Sequence, residues 1–441
     1  MRRTLISIVS ALILMFTTAL ADQALYQAID EDYAYLEELY LYLHQNPELS
    51  YQEEQTMARI AGELRGLGFE VTENVGGFGL VGVLENGAGP TVLIRTDLDA
   101  LPLKEQTGLT YASLVTAINQ AGDEVFVMHA CGHDIHMSAF VGTARRLVEM
   151  KDQWRGTLVM IGQPAEERGG GARAMLADGL YERFPKPDYN LALHDAASAP
   201  AGTVGYTPGY ALANVDSVDI IVHGIGGHGA YPHTTKDPVV LAAQIIVDLQ
   251  TLVSREVSPL DPAVVTVGSI HGGTKHNIIS DRVLLQLTVR SYTDEVRKTL
   301  LDGIKRIAEN QGRVAGLPED LLPEVTVRTD EFTPATYNDP ELAGRVTSAM
   351  REAGVAAAIV ETPPVMGGED FSEYGRTEDK IPGFIFWIGA VDPTVYQETM
   401  AAGGTLPSLH SPFFAPAPEL TIKTGVKAMT IAALELFAKP E

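Results

Sequence analysis

The segment from His129 to His136 is the densest group of chemically reactive side chains in the sequence. It reads His-Ala-Cys-Gly-His-Asp-Ile-His and holds three of the 11 histidines together with the only cysteine. Thiolate and imidazole groups are good ligands for zinc-like ions, and the glycine between Cys131 and His133 lets both side chains converge on one ion. A buried thiol among hydrogen-bonded core histidines is the plainer alternative. Because other ligand candidates exist, the segment predicts a metal site, with His129, Asp134 and His136 orienting the ligands.

Three apolar runs predict buried strands, and acids or a histidine follow each of them. The runs and the polar residues after them are Thr91–Arg95 with Asp97 and Asp99, Thr157–Ile161 with Glu166 and Glu167, and Leu191–Leu193 with His194 and Asp195. Solvated loops often place polar residues after strands, so one such end means little. Ligand sites in open α/β sheets form at the carboxyl ends of strands, and three ends with metal-type residues therefore indicate a site.

Two adjacent carboxylates, Glu166 and Glu167, can divide the work of a metal-dependent hydrolysis. One can bind metal while its neighbour acts as general base on the bound water. The glycine run at 169–171 allows backbone to approach closely, although adjacent acids more often mark a solvated surface. His410, in the string Ser-Leu-His-Ser-Pro, is weak evidence when taken alone.

The elements that must position these residues predict an α/β fold with a second domain inserted into it. Strands alternate with amphipathic helices on both sides of a middle region. Residues 211–332 predict the order β-α-β-β-α-β, which is the ferredoxin-like arrangement. We therefore expect a catalytic domain built from residues 22–210 and 333–441, and an inserted lid or dimerisation domain at 211–332. Exposed edges of the inserted sheet could pair across a two-fold axis, which predicts a homodimer.

Charge and the N-terminus limit the partners and the location of the protein. The 441 residues include 32 basic and 57 acidic residues, a formal charge of -25, so a nucleic-acid partner is not expected. Arg2 and Arg3 precede the apolar run Leu5–Phe16, and Ala19-Leu20-Ala21 follows it. This pattern predicts a signal peptide over residues 1–21 and export to the periplasm or the medium. The run is short for a membrane anchor, so no membrane association is expected after cleavage; an uncleaved anchor is the alternative.

The ordered set of motifs resembles the aminoacylase and hippurate hydrolase family of metal-dependent amidohydrolases. These N-acyl-amino-acid amidohydrolases are related to the auxin-conjugate hydrolases and to the dinuclear-zinc carboxypeptidases. The matching segments run in family order across the mature chain: His44–Glu48, Arg95–Pro102, Cys131–His133, Gln163–Glu167, Gly227–His233, Asn277, Glu369–Phe371 and His410–Pro412. The resemblance implies a zinc-peptidase-like catalytic domain, an inserted lid domain, and two divalent metal ions, which could be zinc, manganese or cobalt.

The resemblance also implies roles for individual residues. The implied metal ligands are Cys131, His133, Glu167, His194 and His410, with Cys131 in a bridging position that the carboxypeptidase relatives fill with aspartate. The other implied site residues are Glu166 as general base, Asp97 orienting a ligand, His228 polarising the scissile carbonyl, and Asn277 and Arg290 near the substrate carboxylate or the oxyanion. Three positions depart from the usual family residues, namely Ile225, Ser280 and Asp195. None of them is an implied ligand, so they leave the substrate preference open and do not affect the implied reaction.

The implied activity is hydrolysis of the amide bond in N-acyl amino acids or related small amides by a metal-activated water. A dipeptidase or carboxypeptidase with the same site is an alternative, because the sequence does not show whether the substrate amine is acylated. A non-catalytic exported protein that binds metal or solute is a second alternative, against which the intact Glu166 and Glu167 pair argues. A thiol hydrolase with Cys131 as nucleophile is a third, and it would need no metal.

Overall fold

The computed structural model describes the backbone of residues 2–437 and the side chains of residues 23–437. The signal peptide predicted at 1–21 lies outside the residues whose side chains are described and stays a prediction. The chain divides into two compact units. The first runs to Gly209 and resumes over Tyr337–Pro363 and from Glu373 onward, and the second comprises Tyr210–Thr336 and Pro364–Ser372. The return of residues 364–372 to the second unit has no counterpart in the sequence pattern.

The helices and strands of the described chain have the following bounds. The helices are α1 (Arg2–Gln45), α2 (Glu54–Gly66), α3 (His133–Glu149), α4 (Gly171–Ala177), α5 (Leu180–Arg183), α6 (Pro238–Thr251), α7 (Asp294–Val314), α8 (Pro340–Ala353), α9 (Ser372–Gly375), α10 (Pro393–Ala401) and α11 (Pro418–Phe437). The strands are β1 (Glu70–Glu73), β2 (Leu80–Glu85), β3 (Thr91–Asp97), β4 (Thr116–Ile118), β5 (Glu124–Phe126), β6 (Thr157–Gln163), β7 (Tyr189–Pro200), β8 (Thr203–Tyr206), β9 (Gly209–Leu212), β10 (Asn214–His223), β11 (Gly227–His228), β12 (Ala263–Gly272), β13 (Ile278–Ile279), β14 (Arg282–Ser291), β15 (Glu324–Thr333), β16 (Thr336–Asn338), β17 (Ala358–Glu361) and β18 (Gly383–Val391).

An eight-stranded mixed sheet forms the centre of the first unit, in the order β1-β2-β6-β3-β7-β18-β8-β17. Strands β6, β3, β7 and β18 are consecutive and parallel, so their carboxyl ends meet at one edge. The interior of β3 is buried throughout, as expected for a parallel strand, and helices α1, α3 and α11 pack on one another and on the sheet. The predicted α/β class is confirmed. Strand β7 continues to Pro200, so His194 lies within it and not, as predicted, after its end.

The second unit contains a four-stranded antiparallel sheet in the order β12-β14-β10-β15. Along the chain its main elements are β10, α6, β12, β14, α7 and β15, which is the β-α-β-β-α-β order that the sequence predicts. Residues of β10 alternate between buried and half-buried. Val218, Ile220 and Val222 join the apolar core formed with α6 and α7, since those helices cover one face of the sheet.

Helix α6 is unusually apolar. Together with the π-helical turn that follows it, Pro238–Glu256 is the one helix of the described residues that could span a membrane by length and composition. Leu241, Ile245 and Leu249 nevertheless lie in the apolar core of the second unit. Packing in this unit accounts for one face of the helix, while Val239, Val240 and Val247 on it are exposed.

A buried histidine, His44 near the end of α1, joins that helix to the start of α3. Its Nδ1 lies 2.7 Å from Asp134 Oδ2, and its Nε2 lies 3.3 Å from a carboxylate oxygen of Glu105. Burial alone would lower the pKa of His44, but the hydrogen bonds and charges of the two carboxylates outweigh it and raise the pKa to about 9. An imidazolium held between two buried carboxylates stabilises this part of the first unit.

We expect this pairing to make stability depend on pH. A histidine whose pKa rises from 6.5 to about 9 on folding stabilises the fold fully below its unfolded pKa, and this contribution is lost as the pH rises through 9. The shift corresponds to about 3 kcal/mol of unfolding free energy. Denaturant titrations of wild type and His44→Asn should show a stability difference that shrinks from about pH 6 to about pH 10. A difference that stays constant over this range would contradict a charged His44.

Candidate metal centre and active site

The start of α3 sets the direction of the two central ligand candidates. Helix α3 begins at His133, directly after Gly132, which has the left-handed conformation with φ of 76°. A Cβ at position 132 would also collide with the carboxylate of Asp195. Glycine is required here both for its φ and for its missing side chain, and the resulting turn places Cys131 and His133 in one cluster of ligand atoms.

The five predicted metal ligands all lie together in the first unit. The ligand atoms of Cys131, His133 and His194 lie within 4.8 Å of one another, and so do those of Cys131, Glu167 and His410. Cys131 Sγ is 3.5 Å from His194 Nε2 and 3.2 Å from His410 Nε2. The thiol thus belongs to both groups, which is the arrangement that a bridging ligand requires.

The predicted base, Glu166, lies beside these ligand atoms. Its Oε2 is 3.9 Å from His133 Nε2, and Glu167 Oε1 lies at the same distance from that nitrogen. Both acids belong to a single 3-10 turn at Glu166–Arg168, shortly after the carboxyl end of β6. One carboxylate of the pair can therefore bind metal while the other remains close enough to exchange a proton with a reacting group.

Two imidazoles have their orientation fixed by backbone carbonyls. His133 Nδ1 donates to the carbonyl of Asp99 and His194 Nδ1 to that of Asp195, each at 2.8 Å. The proton on Nδ1 leaves Nε2 of each ring as an electron-pair donor. Among the described residues, His133 Nε2 and Glu167 Oε1 are buried without a hydrogen-bond partner. Buried polar atoms normally have a partner, and a bound metal ion would supply one for both of these atoms.

Asp97 is fully buried at the end of β3 and contacts three cationic or ionisable neighbours. Its Oδ1 is 2.8 Å from His136 Nδ1, and its Oδ2 is 2.7 Å from Arg95 Nη1 and 3.7 Å from His133 Nε2. Burial would raise the pKa of Asp97, but its neighbours His133, His136 and Arg95 hold it well below the usual range. Asp97 is therefore an anion that orients its neighbours, since Arg95 and His136 already occupy its oxygens.

The proton affinities of the ligand group fit a bound cation. Burial raises the pKa of the Cys131 thiol well above its usual range and raises the pKa of Glu167 to about 7. The pKa of His410 is lowered, first by burial and then by the nearby charges of His133 and His194. A divalent cation would replace the protons of Cys131 and Glu167. One thiolate, one carboxylate and three imidazoles are a donor set that suits zinc-like ions.

The expectation that His129, Asp134 and His136 orient the ligands is correct in part. His136 Nε2 accepts a hydrogen bond from the Asp195 amide at 2.8 Å, next to the ligand candidate His194. Asp134 pairs with His44 instead, because successive residues of α3 point to different sides of the helix. His129 precedes the helix, and neither of its buried ring nitrogens has a hydrogen-bond partner in the described chain.

Two buried acids hold the loop of Glu166; Asp99 was predicted only as an acid that follows a strand, without this role, and Glu53 was not singled out from the sequence. The carboxylate of Asp99 accepts the amides of Glu166 and Glu167, and Glu53 accepts the amide of Ala165. A second acid at the end of β3 was a signal that could have singled out Asp99. No signal in the sequence pointed to Glu53, because it lies 112 positions along the chain from its partner Ala165.

The predicted catalytic residue His228 and the predicted substrate-binding residue Asn277 lie at a short strand pair in the second unit. His228 on β11 pairs with Ile278 on β13, and the amide of Gly229 donates to the carbonyl of Asn277 at 2.9 Å. His228 Nδ1 accepts the amide of Ala230 at 3.1 Å. The neutral ring then carries its proton on Nε2, where it can be donated to a ligand.

Arg290 lies on β14 of the same unit and is half-buried. Its Nε donates to Thr288 Oγ1 at 3.0 Å and its Nη1 donates to the carbonyl of Met366 at 3.2 Å. Burial lowers the pKa of this guanidinium, and no salt bridge joins it to an acid within the part of the chain that is described. A guanidinium without a carboxylate partner is suited to bind one from a ligand.

A cluster of thiol, imidazole and carboxylate groups around β6, β7 and the start of α3 is typical of a metal-dependent hydrolase. The sequence model of Peptidase family M20/M25/M40 matches residues 93–431. The chain is 38% identical over 351 residues to thermostable carboxypeptidase 2 of Saccharolobus solfataricus, covering 79% of this chain and 84% of the relative. It is 36% identical over 355 residues to N-acetyldiaminopimelate deacetylase of a Geobacillus species, covering 80% and 88%.

Solved structures agree with the sequence relatives. A dinuclear metal-binding peptidase of the M20 family from Bacillus subtilis superimposes with a TM-score of 0.72 at 29% identity, covering 93% of this chain and 98% of that one. The chain belongs to Peptidase family M20/M25/M40. It is an enzyme, a metal-dependent hydrolase of amide bonds, and the family resemblance seen in the sequence is confirmed.

Proposed function

We propose that the protein is an amidohydrolase that removes the acyl group from N-acyl amino acids or related small amides. The observation that carries this proposal is the placement of the Glu166 carboxylate beside two ligand groups that share Cys131. The similarity to a deacetylase of an N-acetylated amino acid supports the substrate class. The similarity to a carboxypeptidase keeps a peptidase with the same site as the second candidate.

Two divalent ions are proposed as the cofactors, with zinc, manganese and cobalt as the candidates. Cys131, His133, Glu167, His194 and His410 would hold them, and the unpartnered atoms His133 Nε2 and Glu167 Oε1 support this assignment. When bound, such ions supply Lewis-acid chemistry that activates a water and polarises the amide carbonyl. Asp97, held by its contacts with Arg95 and His136, would fix the orientation of the neighbouring ligand His133.

The protein's own groups would move the protons. Glu166 takes a proton from the attacking water on its carboxylate and gives it to the leaving amine nitrogen, a role that typically accelerates a reaction about 10²–10⁴-fold. His228 keeps its proton and donates a hydrogen bond from Nε2 to the developing oxyanion of the amide. Arg290 pairs with the carboxylate of the amino-acid part of the substrate, and Asn277 adds a side-chain amide for hydrogen bonding.

Export and dimerisation are proposed as well. The basic residues, apolar run and Ala19-Leu20-Ala21 support removal of residues 1–21 and a periplasmic or secreted enzyme. Strands β12 and β15 are the edges of the four-stranded sheet, which supports a homodimer formed by the second unit. N-terminal sequencing of the exported protein and its mass in solution test these two statements.

Hydrolysis of a small panel tests the proposed activity. The panel contains N-acetyl and N-benzoyl amino acids beside unblocked dipeptides, assayed before chelation, after it, and with zinc, manganese or cobalt restored. We expect cleavage of the acylated compounds, loss of activity on chelation and recovery with metal. A preference for unblocked dipeptides would establish the peptidase instead. Activity indifferent to chelation would make Cys131 a nucleophile, and metal binding without any hydrolysis would favour a binding protein.

A further inference from the structure

Two buried carboxyl groups hold the loop that carries Glu166. The amide of Ala165 donates to Glu53 Oε1 at 2.8 Å, the amide of Glu166 to Asp99 Oδ1 at 3.1 Å, and the amide of Glu167 to Asp99 Oδ2 at 3.0 Å. Glu53 and Asp99 are both 0% exposed. We call these two side chains, with the three amides that they accept, the carboxylate clamp.

Each carboxyl group of the clamp is fixed by further contacts. Glu53 Oε1 also accepts the amide of Tyr51 at 2.9 Å. Asp99 Oδ2 accepts the hydroxyl of Ser50 at 2.6 Å, and the backbone carbonyl of Asp99 holds Nδ1 of the ligand candidate His133. The clamp therefore ties the loop of Glu166 to the same residue that orients a metal ligand.

The backbone of the loop has an unfavourable conformation, which contacts from outside the loop can hold in place. Ala165 has φ of 50° and ψ of 41°, a left-handed conformation that costs a residue with a side chain about 1–2 kcal/mol. The 3-10 turn closes through the amide of Gly169, which donates to the carbonyl of Glu166 at 2.7 Å. A 3-10 turn has poorer hydrogen-bond geometry than an α-helix, so external contacts decide where Glu166 points.

We propose that Glu53 is a positioning residue for the hydrolysis, acting with Asp99 through the carboxylate clamp to fix the direction of the Glu166 side chain. The inference rests on the proposed role of Glu166 as general base. A displacement of about 1 Å at a reacting group can cost about 10²-fold in rate. Loss of the clamp should therefore lower kcat while KM and the bound metal remain, because the ligands themselves are not changed.

Glu53 acts in the clamp as a hydrogen-bond acceptor. Burial and the charge of Asp99 raise its pKa to about 8, and its Oε2 has no hydrogen-bond partner among the described residues. A neutral carboxyl group still accepts through Oε1, and so does the side-chain amide of glutamine. Glu53→Gln should therefore keep the clamp and Glu53→Ala should remove it.

The kinetic test compares Glu53→Gln, Glu53→Ala and the control Glu54→Gln as full-length, metal-loaded enzymes. Glu54 is the next residue along the chain, but its side chain is exposed and accepts no amide from the loop of Glu166 in the described chain. We expect kcat to fall about 10²-fold in Glu53→Ala, with KM and metal content within about twofold of wild type. Glu53→Gln should stay within about threefold of wild type in kcat, and the control should be unchanged.

Hydrogen exchange of the peptide 163–171, followed by mass spectrometry, gives a readout that needs no activity. The amides of the clamp should exchange slowly in wild type and Glu53→Gln, and faster in Glu53→Ala. If wild type hydrolyses no panel compound, the proposed function fails, and exchange still decides whether the clamp exists.

Three results would overturn the inference. They are unchanged exchange in Glu53→Ala, an equal loss of kcat in both Glu53 variants, and a joint loss of kcat, substrate affinity and metal in Glu53→Ala. If Glu53→Ala does not fold, Asp99→Asn replaces it in the test. The asparagine side chain has a single acceptor oxygen, so it can accept the backbone amide of only one of Glu166 and Glu167. A lower kcat with metal retained would then support the clamp, and an unchanged kcat would contradict it.

Discussion

Replacing Glu166 by alanine should lower kcat by about 10²–10⁴-fold while the metal content of the enzyme stays at the wild-type level. The carboxylate of Glu166 lies beside His133 Nε2, but the cluster shared with Cys131 and His410 uses Glu167. Removing Glu166 therefore takes away the proton acceptor and leaves the proposed ligands. Steady-state kinetics on the best substrate and elemental analysis of the purified variant measure both quantities.

The exposed residue Glu182 on α5 supplies a matched control for this experiment. Glu182→Gln should change neither kcat nor metal content, because it only removes a surface charge. Full turnover in Glu166→Ala would end its assignment as general base. Loss of metal from Glu166→Ala, with Glu182→Gln intact, would make Glu166 a ligand instead.

Cys131→Ala and Cys131→Asp should behave oppositely toward metal. Cys131 belongs to both ligand groups, so alanine removes a donor shared by both proposed ions. Mutation of a residue that only hydrogen-bonds to a metal ligand typically lowers metal affinity about 10–100-fold. We expect a larger loss in Cys131→Ala, because the ligand itself is removed. Aspartate restores a donor whose two oxygens can bridge two ions, and it should recover metal binding and part of the activity.

Metal titration of the apo-proteins, followed by kinetics, measures this difference. Unchanged affinity for two ions in Cys131→Ala would show that the thiol is not a ligand. A thiol hydrolase would give another pattern, since both variants would be inactive and wild type would work without metal. Either result would return Cys131 to the alternatives that its residue type leaves open.

Residue type and local spacing were enough to predict much of this enzyme. Cys131 and His133 were recognised as ligand candidates because thiolate and imidazole chemistry belongs to the side chains themselves. The α/β class followed from runs of apolar residues with the period of strands and helices, and these runs became β3, β6 and β7. The motif set carried the family, which sequence relatives confirm.

Only the tertiary structure decided how the site is supported. Asp99 accepts amides 67 and 68 positions away, and Glu53 accepts one 112 positions away, so no local pattern could join them to the loop of Glu166. Asp134 looked like a partner of the ligands, but the helix that begins at His133 turns it toward His44. The sequence by itself determines which side chains can do the chemistry and which segments form strands or helices. The three-dimensional path of the chain decides which buried acids meet which amides, because such contacts depend on distance in space and leave no periodic trace in the sequence.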